Sequence, residues 1–126
     1  MPATNYRVTT VTGSADYAGT DANVYITLYG QDPQGQPMNS GERLLDNSED
    51  NFEKGKTDIF NLETSPLGDI QSVRVRQDES GRYAGWFLDR ILIRDDTTGK
   101  EFAFPCGQWL AADVGDGQTM RLLKSS

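Results

Sequence analysis

One alternating pattern dominates the sequence, and it reads Gly81-Arg82-Tyr83-Ala84-Gly85-Trp86-Phe87-Leu88-Asp89-Arg90-Ile91-Leu92-Ile93. One parity contains Phe87, Asp89, Ile91 and Ile93, and the other contains Leu88, Arg90, Leu92 and Arg94. Alternation is typical of a β-strand, and apolar residues of both parities indicate a strand in the middle of a sheet. An acidic turn and a glycine-containing loop precede Trp86, so we expect this strand to begin beneath a loop at one end of the fold.

The rest of the chain contains short alternating segments of the same kind, separated by turn residues. We predict further strands near residues 6–12, 22–29, 43–45, 57–62, 70–77, 101–106 and 120–123. The segment from Gly30 to Gly41 has turn residues without periodicity and is predicted to be a hairpin loop. No segment has the convincing 3.6-residue period of a helix. This pattern favours an all-β fold, an antiparallel sandwich or barrel.

The composition is that of a folded domain. The 126 residues are 36% hydrophobic and 25% charged, which is normal for a protein with its own core. We expect one monomeric domain over residues 1–126. The N-terminus has no apolar signal-peptide segment, and no stretch approaches the roughly 20 apolar residues that span a membrane. We therefore expect a soluble protein, cytoplasmic or peripherally bound to a membrane.

Charge and residue types exclude several functions. Twelve basic and 19 acidic residues give a net charge of -7, so no counterion release favours nucleic acid as a partner. The same excess disfavours anionic lipid, unless bound cations reverse the local field. The chain has no histidine, which excludes Ser-His-Asp and Cys-His catalysis. Cys106, the only cysteine, follows an apolar run and is predicted to be a buried structural thiol.

Six motifs, in order along the chain, resemble those of the PLAT domain, also called the lipoxygenase homology or LH2 domain. They are Gly19-Thr20-Asp21-Ala22-Asn23-Val24-Tyr25-Ile26, Phe52-Glu53-Lys54-Gly55-Lys56-Thr57-Asp58-Ile59-Phe60, Leu67-Gly68-Asp69-Ile70, Gly85-Trp86-Phe87-Leu88-Asp89-Arg90-Ile91, Phe102-Ala103-Phe104-Pro105-Cys106 and Trp109-Leu110. The resemblance runs from Tyr6 to Leu123. It implies an antiparallel β-sandwich of two four-stranded sheets. It also implies a non-catalytic domain that brings lipoxygenases, lipases, polycystin-type membrane proteins or a clostridial toxin phospholipase to membranes or protein partners, and that in many members binds Ca²⁺ in loops at one end.

Oxygen-bearing side chains are concentrated in the segment Asp46-Asn47-Ser48-Glu49-Asp50-Asn51, hereafter the acidic segment. Ca²⁺ binds carboxylates, carboxamides and backbone carbonyls. The segment is not an EF-hand loop, because its sixth position is Asn51 rather than glycine. The resemblance implies one Ca²⁺ site between this segment and Gly19-Thr20-Asp21. The expected ligands are side chains of Asp46 and Glu49 with Asn51 or Asp50, and carbonyls of Gly19, Thr20 or Asn47. The alternative is a solvated acidic turn that keeps an edge soluble.

The resemblance also implies a possible second Ca²⁺ site, which some relatives have between the loop after the first strand and the loop before Trp86. The acids available there are Asp16, Asp21, Asp78 and Glu79, whereas Ala84 offers only its carbonyl.

The exposed aromatic residues are predicted to contact a surface. Tyr17 and Tyr83 lie in polar loops at the end where relatives touch membranes, and amphipathic rings suit the headgroup region. The alternative is that both are turn residues. Trp86 and Trp109 sit next to apolar strand residues and are predicted to belong to the core. Arg74 and Arg76 are predicted to pair with nearby acids, and a phosphate-binding patch is the alternative.

Three classes of function therefore follow from the sequence. The first is a calcium-binding module that targets a membrane surface or a lipid-associated protein. The second is a calcium-independent protein-interaction domain of a larger enzyme or receptor. The third is an enzyme that relies on carboxylates alone, and the absence of histidine, of a nucleophile elbow and of a phosphate loop makes this the weakest hypothesis.

Overall fold

The computed structural model describes residues 3–46, 51–81 and 84–125. These ranges contain nine strands and no helix: β1 (Thr4–Thr12), β2 (Val24–Gln31), β3 (Pro37–Asn39), β4 (Arg43–Leu44), β5 (Thr57–Thr64), β6 (Ser72–Gln77), β7 (Trp86–Asp95), β8 (Glu101–Leu110) and β9 (Met120–Lys124). One antiparallel sheet has the order β5-β1-β7-β8, and the other has the order β3-β2-β6-β9, with β4 also paired to β2. The predicted all-β sandwich is confirmed.

The second sheet has five strands rather than the expected four, because its edge is divided. β3 pairs with Tyr29–Gln31 of β2, and β4 pairs with Tyr25–Ile26 of the same strand. Both short strands therefore lie at the same edge of β2. The sheet has four strand positions, and the outermost one is interrupted between β3 and β4.

The core lies between the two sheets and is built from their inward faces. In β2 the predicted inward side chains Val24, Ile26 and Leu28 are fully buried. Trp86 and Tyr6 are the largest fully buried side chains, and each satisfies its polar atom. Trp86 Nε1 donates to Thr12 Oγ1 at 2.9 Å, and Tyr6 Oη accepts the N–H of Leu67 at 2.9 Å. Full burial of a large apolar side chain stabilises the fold by about 1.5–3 kcal/mol.

The buried residues of β7 do not share one parity. They are Trp86, Leu88, Ile91, Ile93 and Asp95. A β-bulge in β7 explains the change, because Leu88 and Arg90 pair with the consecutive residues Thr12 and Val11 of β1, so that Asp89 is an extra residue of β7. The prediction that Phe87 and Asp89 share the face of Ile91 and Ile93 is therefore wrong.

The predicted hairpin loop at residues 30–41 is also partly wrong, because β2 continues through Gly30 and β3 lies inside the segment. Gly30 is a strand residue whose backbone packs closely on a neighbouring loop. A Cβ atom there would lie 2.0 Å from the carbonyl oxygen of Leu67, and the N–H of Gln31 donates to that oxygen at 2.7 Å. Only residues 32–36 form the turn, where Asp32 Oδ1 accepts the N–H groups of Gln34 and Gln36.

Two side chains predicted to be buried are only half-buried. Cys106 lies opposite Asp89 at the bulge, and partial burial raises the pKa of its thiol. Trp109 belongs to β8 and packs edge to face against Phe87, with 5.3 Å between ring centroids. Alternation along β8 explains the position of Trp109, because Phe104 and Leu110, which have the other parity, are buried. Trp109 therefore lies on the outer face of the sheet with Phe87.

Candidate functional site

Three loops meet at one end of the sandwich: residues 13–23 after β1, residues 45–56 before β5, and residues 78–85 before β7. The first loop lies between the other two. The N–H of Thr20 donates to the carbonyl of Phe52 at 3.0 Å, and Thr20 Oγ1 donates to the carbonyl of Ala84 at 2.5 Å. Gly19 permits this approach, because a Cβ atom there would lie 2.8 Å from the oxygen of Phe52. Thr20 therefore links the acidic segment's loop to the loop before Trp86.

An open depression of about 240 Å³ lies between the first loop and the acidic segment. Thr20, Asp21, Asn23, Asp46 and Asn51 contribute its oxygen-bearing side chains. Three of the predicted ligands, Thr20, Asp46 and Asn51, thus line one depression, and Gly19 precedes Thr20 in the chain. The predicted ligands Asn47, Glu49 and Asp50 lie outside the described residues.

Asn51 carries the clearest mark of a ligand site in this depression. Its Oδ1 atom is buried and has no hydrogen-bond donor among the described residues. A buried polar oxygen without a donor costs roughly 1–3 kcal/mol, so such atoms in folded proteins call for a ligand, an ion or a water. A carboxamide oxygen is a hard donor of the kind that Ca²⁺ binds. The residues at this position therefore fit a calcium ion in their chemistry.

The described side chains do not by themselves complete a coordination shell. Within residues 3–46, 51–81 and 84–125, no group of three or more His, Cys, Asp or Glu side chains is placed to hold a metal ion. Asp46 and Asn51 each supply one oxygen-bearing side chain. The remaining oxygens would have to come from the rest of the acidic segment and from backbone carbonyls.

Phe52 anchors the acidic segment to the core. Its φ of 62° lies in the left-handed region, which is unusual for an aromatic residue. Its ring is buried, stacks on Phe60 with 5.5 Å between centroids, and contacts Trp86 edge to face at 5.1 Å. The residue that follows Asn51 is thus fixed by aromatic packing on both sides.

Asp58, a residue that the sequence analysis missed, holds the backbone of Phe52. Its side chain is fully buried at the start of β5, and Oδ2 accepts the N–H of Phe52 at 2.8 Å. Oδ1 lies 3.4 Å from Lys56 Nζ. The signal was available, because Asp58 has the same parity as the buried Phe60 and Leu62. A carboxylate on the inward face of a strand points to a specific structural role.

The predicted second site is not assembled from the described side chains. Asp16 is exposed and pairs with Lys54 Nζ at 3.2 Å. Asp21 lies against Gly81, where a Cβ atom would be 2.9 Å from the Asp21 Cβ. The third predicted ligand, Asp78, has its carboxylate occupied by hydrogen bonds. These three carboxylates do not form one of the metal-binding groups sought among the described residues, and the second site stays a prediction.

Asp78 closes the turn before β7. Oδ1 accepts the N–H and hydroxyl of Ser80, at 3.0 and 2.5 Å, together with the N–H of Asn23 at 3.1 Å. Oδ2 accepts Asn23 Nδ2 at 3.0 Å. These donors, the Ser80 hydroxyl above all, lower the pKa of the Asp78 carboxyl from 3.8 to about 2.

We expect Asp78→Ala to lower the melting temperature by about 3–5 °C near neutral pH, because it removes hydrogen bonds of net worth about 1 kcal/mol. The folded pKa is depressed, so the stabilisation is present above the ordinary pKa and is lost as pH falls towards 2. Melting temperatures of the parent and the variant should therefore converge as acid is added. Asp113→Ala, in an exposed loop, is the control. A difference that does not change with pH would contradict this role for Asp78.

Tyr17 projects from the same end of the molecule. Its side chain is 82% exposed, and its φ of 63° is in the left-handed region. With Gly19 and Lys54 it lines a second shallow depression of about 270 Å³. An exposed ring on a strained backbone points to a functional role for this residue. The other predicted contact residue, Tyr83, lies outside the described residues.

In the part of the chain that the structure describes, no helix is long and apolar enough to cross a membrane.

Comparison with known proteins places these features in a family. The sequence model of the PLAT/LH2 domain matches residues 6–123. Lipoxygenase homology domain-containing protein 1 of Mus musculus is 43% identical over 131 aligned positions, which cover 100% of this chain and 6% of that protein. Polycystin-1-like protein 3 of Mus musculus is 36% identical over 121 positions, which cover 95% of this chain and 5% of that protein. The chain thus spans a small fraction of the length of these curated relatives.

Solved structures give the same picture. A coral 8R-lipoxygenase, described as activated by calcium through a C2-like domain, superimposes with a TM-score of 0.80 at 27% identity, over 97% of this chain and 17% of that chain. A calcium-dependent 11R-lipoxygenase superimposes with a TM-score of 0.70 at 26% identity, also over 97% of this chain and 17% of that chain.

Proposed function

This chain belongs to the PLAT/LH2 domain family, and from that premise we propose that it is a non-catalytic, calcium-binding targeting module. It acts as one domain over residues 1–126 and associates peripherally with a membrane surface or a lipid-associated protein. Two lipoxygenases that share its fold are described as calcium-regulated, which supports the cation part of this proposal.

The observation that carries the proposal is the buried Asn51 Oδ1, which lacks a donor among the described residues and belongs to a residue that lines a depression with Asp46. Asp46 and Asn51 would hold the ion together with Glu49 or Asp50 and the carbonyls of Gly19, Thr20 or Asn47. When bound, Ca²⁺ supplies positive charge that offsets the acidic segment. This matters because a net charge of -7 otherwise opposes anionic lipid.

The residues around the ion are connected to the loops that carry the predicted contact tyrosines, so that ion binding would order those loops. Asp58 and the ring of Phe52 fix the C-terminal end of the acidic segment. Thr20 connects this segment's loop to the first loop and to Ala84 before β7. Tyr17 lies in the first loop and offers an exposed ring to the headgroup region. Ligand binding at the depression thus acts on the loops that carry both predicted contact tyrosines.

We expect sedimentation with phosphatidylcholine vesicles that contain phosphatidylserine to depend on calcium and to be lost on chelation. Tyr17→Ser should weaken the binding by roughly threefold to tenfold, because one amphipathic ring no longer enters the interface. Tyr29→Ser, on the outer face of the second sheet, is the matched control and should bind like the parent. Vesicle binding that is unchanged by chelator would sink the calcium-dependent mechanism.

The alternative function is a calcium-independent protein-interaction domain. The matching region is a small part of the relatives, 5–6% of the curated proteins and 17% of the lipoxygenase. This favours the alternative, because in those relatives the corresponding domain has other domains to contact. Co-precipitation with a defined partner that is unaffected by chelator, without any vesicle binding, would support this alternative.

A further inference from the structure

β9 forms an open edge of the second sheet. Among the described strands it pairs with β6 alone, and the register places Arg121 opposite Val75 and Leu123 opposite Val73. The N–H of Gln77 donates to the carbonyl of Thr119 at 3.1 Å. Hydrogen-bonded pairs alternate along an antiparallel ladder, so the backbone groups of Arg121 and Leu123 also face β6. The outward backbone groups of β9 therefore belong to Met120, Leu122 and Lys124. In the described part of the chain, no hydrogen bond to these groups occurs on that side.

A groove of about 340 Å³ runs beside this edge, between β9 and β8. β8 contributes Pro105, Cys106 and Gln108 to it, and β9 contributes Met120, Arg121 and Leu122. The outward side chains of Met120 and Leu122 are 46% and 56% exposed. An extended edge with free backbone groups, exposed apolar side chains and a groove beside it is the arrangement to which an additional strand can bind.

The other sheet edges carry features that discourage such pairing. β8 contains Pro105, which has no N–H, and the bulge at Cys106 and Gly107. β5 carries the inward-pointing carboxylate of Asp58. β3 and β4 are three and two residues long. Proline, bulges, inward charges and short strands are features by which proteins prevent pairing at sheet edges. β9 has none of these four features, and its cationic residues are its only protection.

Charge indicates the kind of partner. β9 carries the exposed Lys124, and Arg74 of β6 lies beside Leu122. Arg121 does not contribute, because it is paired with Asp116 at 2.7 Å. The carboxylate of Glu42 makes bidentate bonds with Arg76 at 2.7 and 2.8 Å but lies 4.0 Å from Arg74, whose buried Nε has no acceptor among the described residues. The predicted pairing of both arginines with acids is thus tight only for Arg76. Two β9 edges from two copies would bring like charges together, whereas an acidic segment is complementary.

We propose that the free edge of β9 binds one extended segment of an acidic protein partner, in which apolar and Asp or Glu side chains alternate. The segment adds to the sheet as an antiparallel or parallel fifth position, and its backbone pairs with Met120, Leu122 and Lys124. Its carboxylates lie near Lys124 and Arg74. This inference is independent of the proposed calcium site, which lies in the loops.

The test uses a fluorescein-labelled peptide of alternating Glu and Val and a matched peptide of alternating Lys and Val, with binding followed by anisotropy in chelator. The account predicts saturable binding of the Glu peptide and none of the Lys peptide. Leu122→Pro removes the outward N–H but no bond to β6, and should weaken binding by about fivefold or more, whereas Leu122→Thr keeps that N–H and should weaken it less. Lys124→Glu tests the contribution of positive charge to peptide binding, and it should not affect folding because Lys124 is exposed. Leu92→Thr, on the other sheet, is the control.

Equal binding of the two peptides, or full binding by both Leu122→Pro and Lys124→Glu, would overturn the proposal. Self-association through β9, seen as a dimer in sedimentation that Lys124→Glu abolishes, would assign the edge to a second copy and also overturn it. Loss of vesicle binding in Lys124→Glu without any peptide binding by the parent protein would assign the surface to membrane and overturn it as well. A failure of the calcium proposal would leave peptide binding in chelator unchanged, so the two proposals fail separately.

Discussion

Trp86→Ala is expected to lower the free energy of unfolding by about 3–5 kcal/mol, the range for removing a buried large aromatic side chain. The indole is fully buried between the sheets and donates from Nε1 to Thr12 Oγ1 at 2.9 Å. Its loss leaves a cavity and a buried hydroxyl without this donor. It also removes one of the two aromatic contacts of Phe52, so Phe52 should be held less firmly beside the depression.

Trp109→Ala is the matched control, since it removes the same side chain from a half-buried position. We expect it to cost about 1–2 kcal/mol, because its main aromatic contact is with Phe87 on the outer face of the sheet. Denaturant unfolding of both variants, followed by far-ultraviolet circular dichroism, gives the comparison. Equal losses for the two tryptophans would contradict the assignment of Trp86 to the centre of the core.

Asp58→Ala is expected to lower the free energy of unfolding by about 1–3 kcal/mol and also to weaken calcium binding. The substitution leaves the buried N–H of Phe52 without its acceptor at 2.8 Å, and it leaves Lys56 without the carboxylate 3.4 Å away. Phe52 holds a left-handed backbone conformation that the surrounding contacts must maintain. Without this hydrogen bond, Asn51 loses its fixed position beside the depression.

Glu63→Ala controls for the loss of one negative charge, because Glu63 is an exposed residue of the same strand. It should leave both stability and calcium affinity close to those of the parent. The role assigned to Asp58 requires two readouts to move together, the unfolding free energy and the calcium affinity. A variant that is destabilised but binds calcium as the parent does would reduce Asp58 to a purely structural residue.

The architecture followed from the sequence wherever strands alternate without interruption. β2 is the clearest case, because Val24, Ile26 and Leu28 are buried as the period of two requires. In β7 the same method failed beyond Leu88. The bulge at Asp89 depends on how β7 pairs with β1, and no periodicity within one segment reveals that pairing. The prediction of a loop at Gly30 failed for a related reason, since the close contact of Gly30 with Leu67 is made between segments that are distant in the sequence.

The sequence indicated the oxygen-bearing residues of the candidate site, but not the residues and hydrogen bonds that hold its loops in place. The clustering of Asp46 and Asn51 with oxygen-bearing neighbours is visible in the sequence, and the structure places both beside Thr20. Asp78 stays a predicted ligand of the second site, but composition could not show that Asn23 and Ser80 donate to its carboxylate. Asp58 looked like an ordinary strand residue until its burial beneath Phe52 was seen.

The central claim is that Asp46 and Asn51 help to hold a calcium ion at the loop end of the sandwich. Its most direct test is calorimetric titration of calcium into the parent protein, Asp46→Ala and Asn51→Leu. We predict saturable binding to the parent, and affinities lower by about tenfold or more in both variants, because each loses an oxygen ligand. The absence of any heat of binding at millimolar calcium, or affinities in both variants equal to that of the parent, would contradict the account.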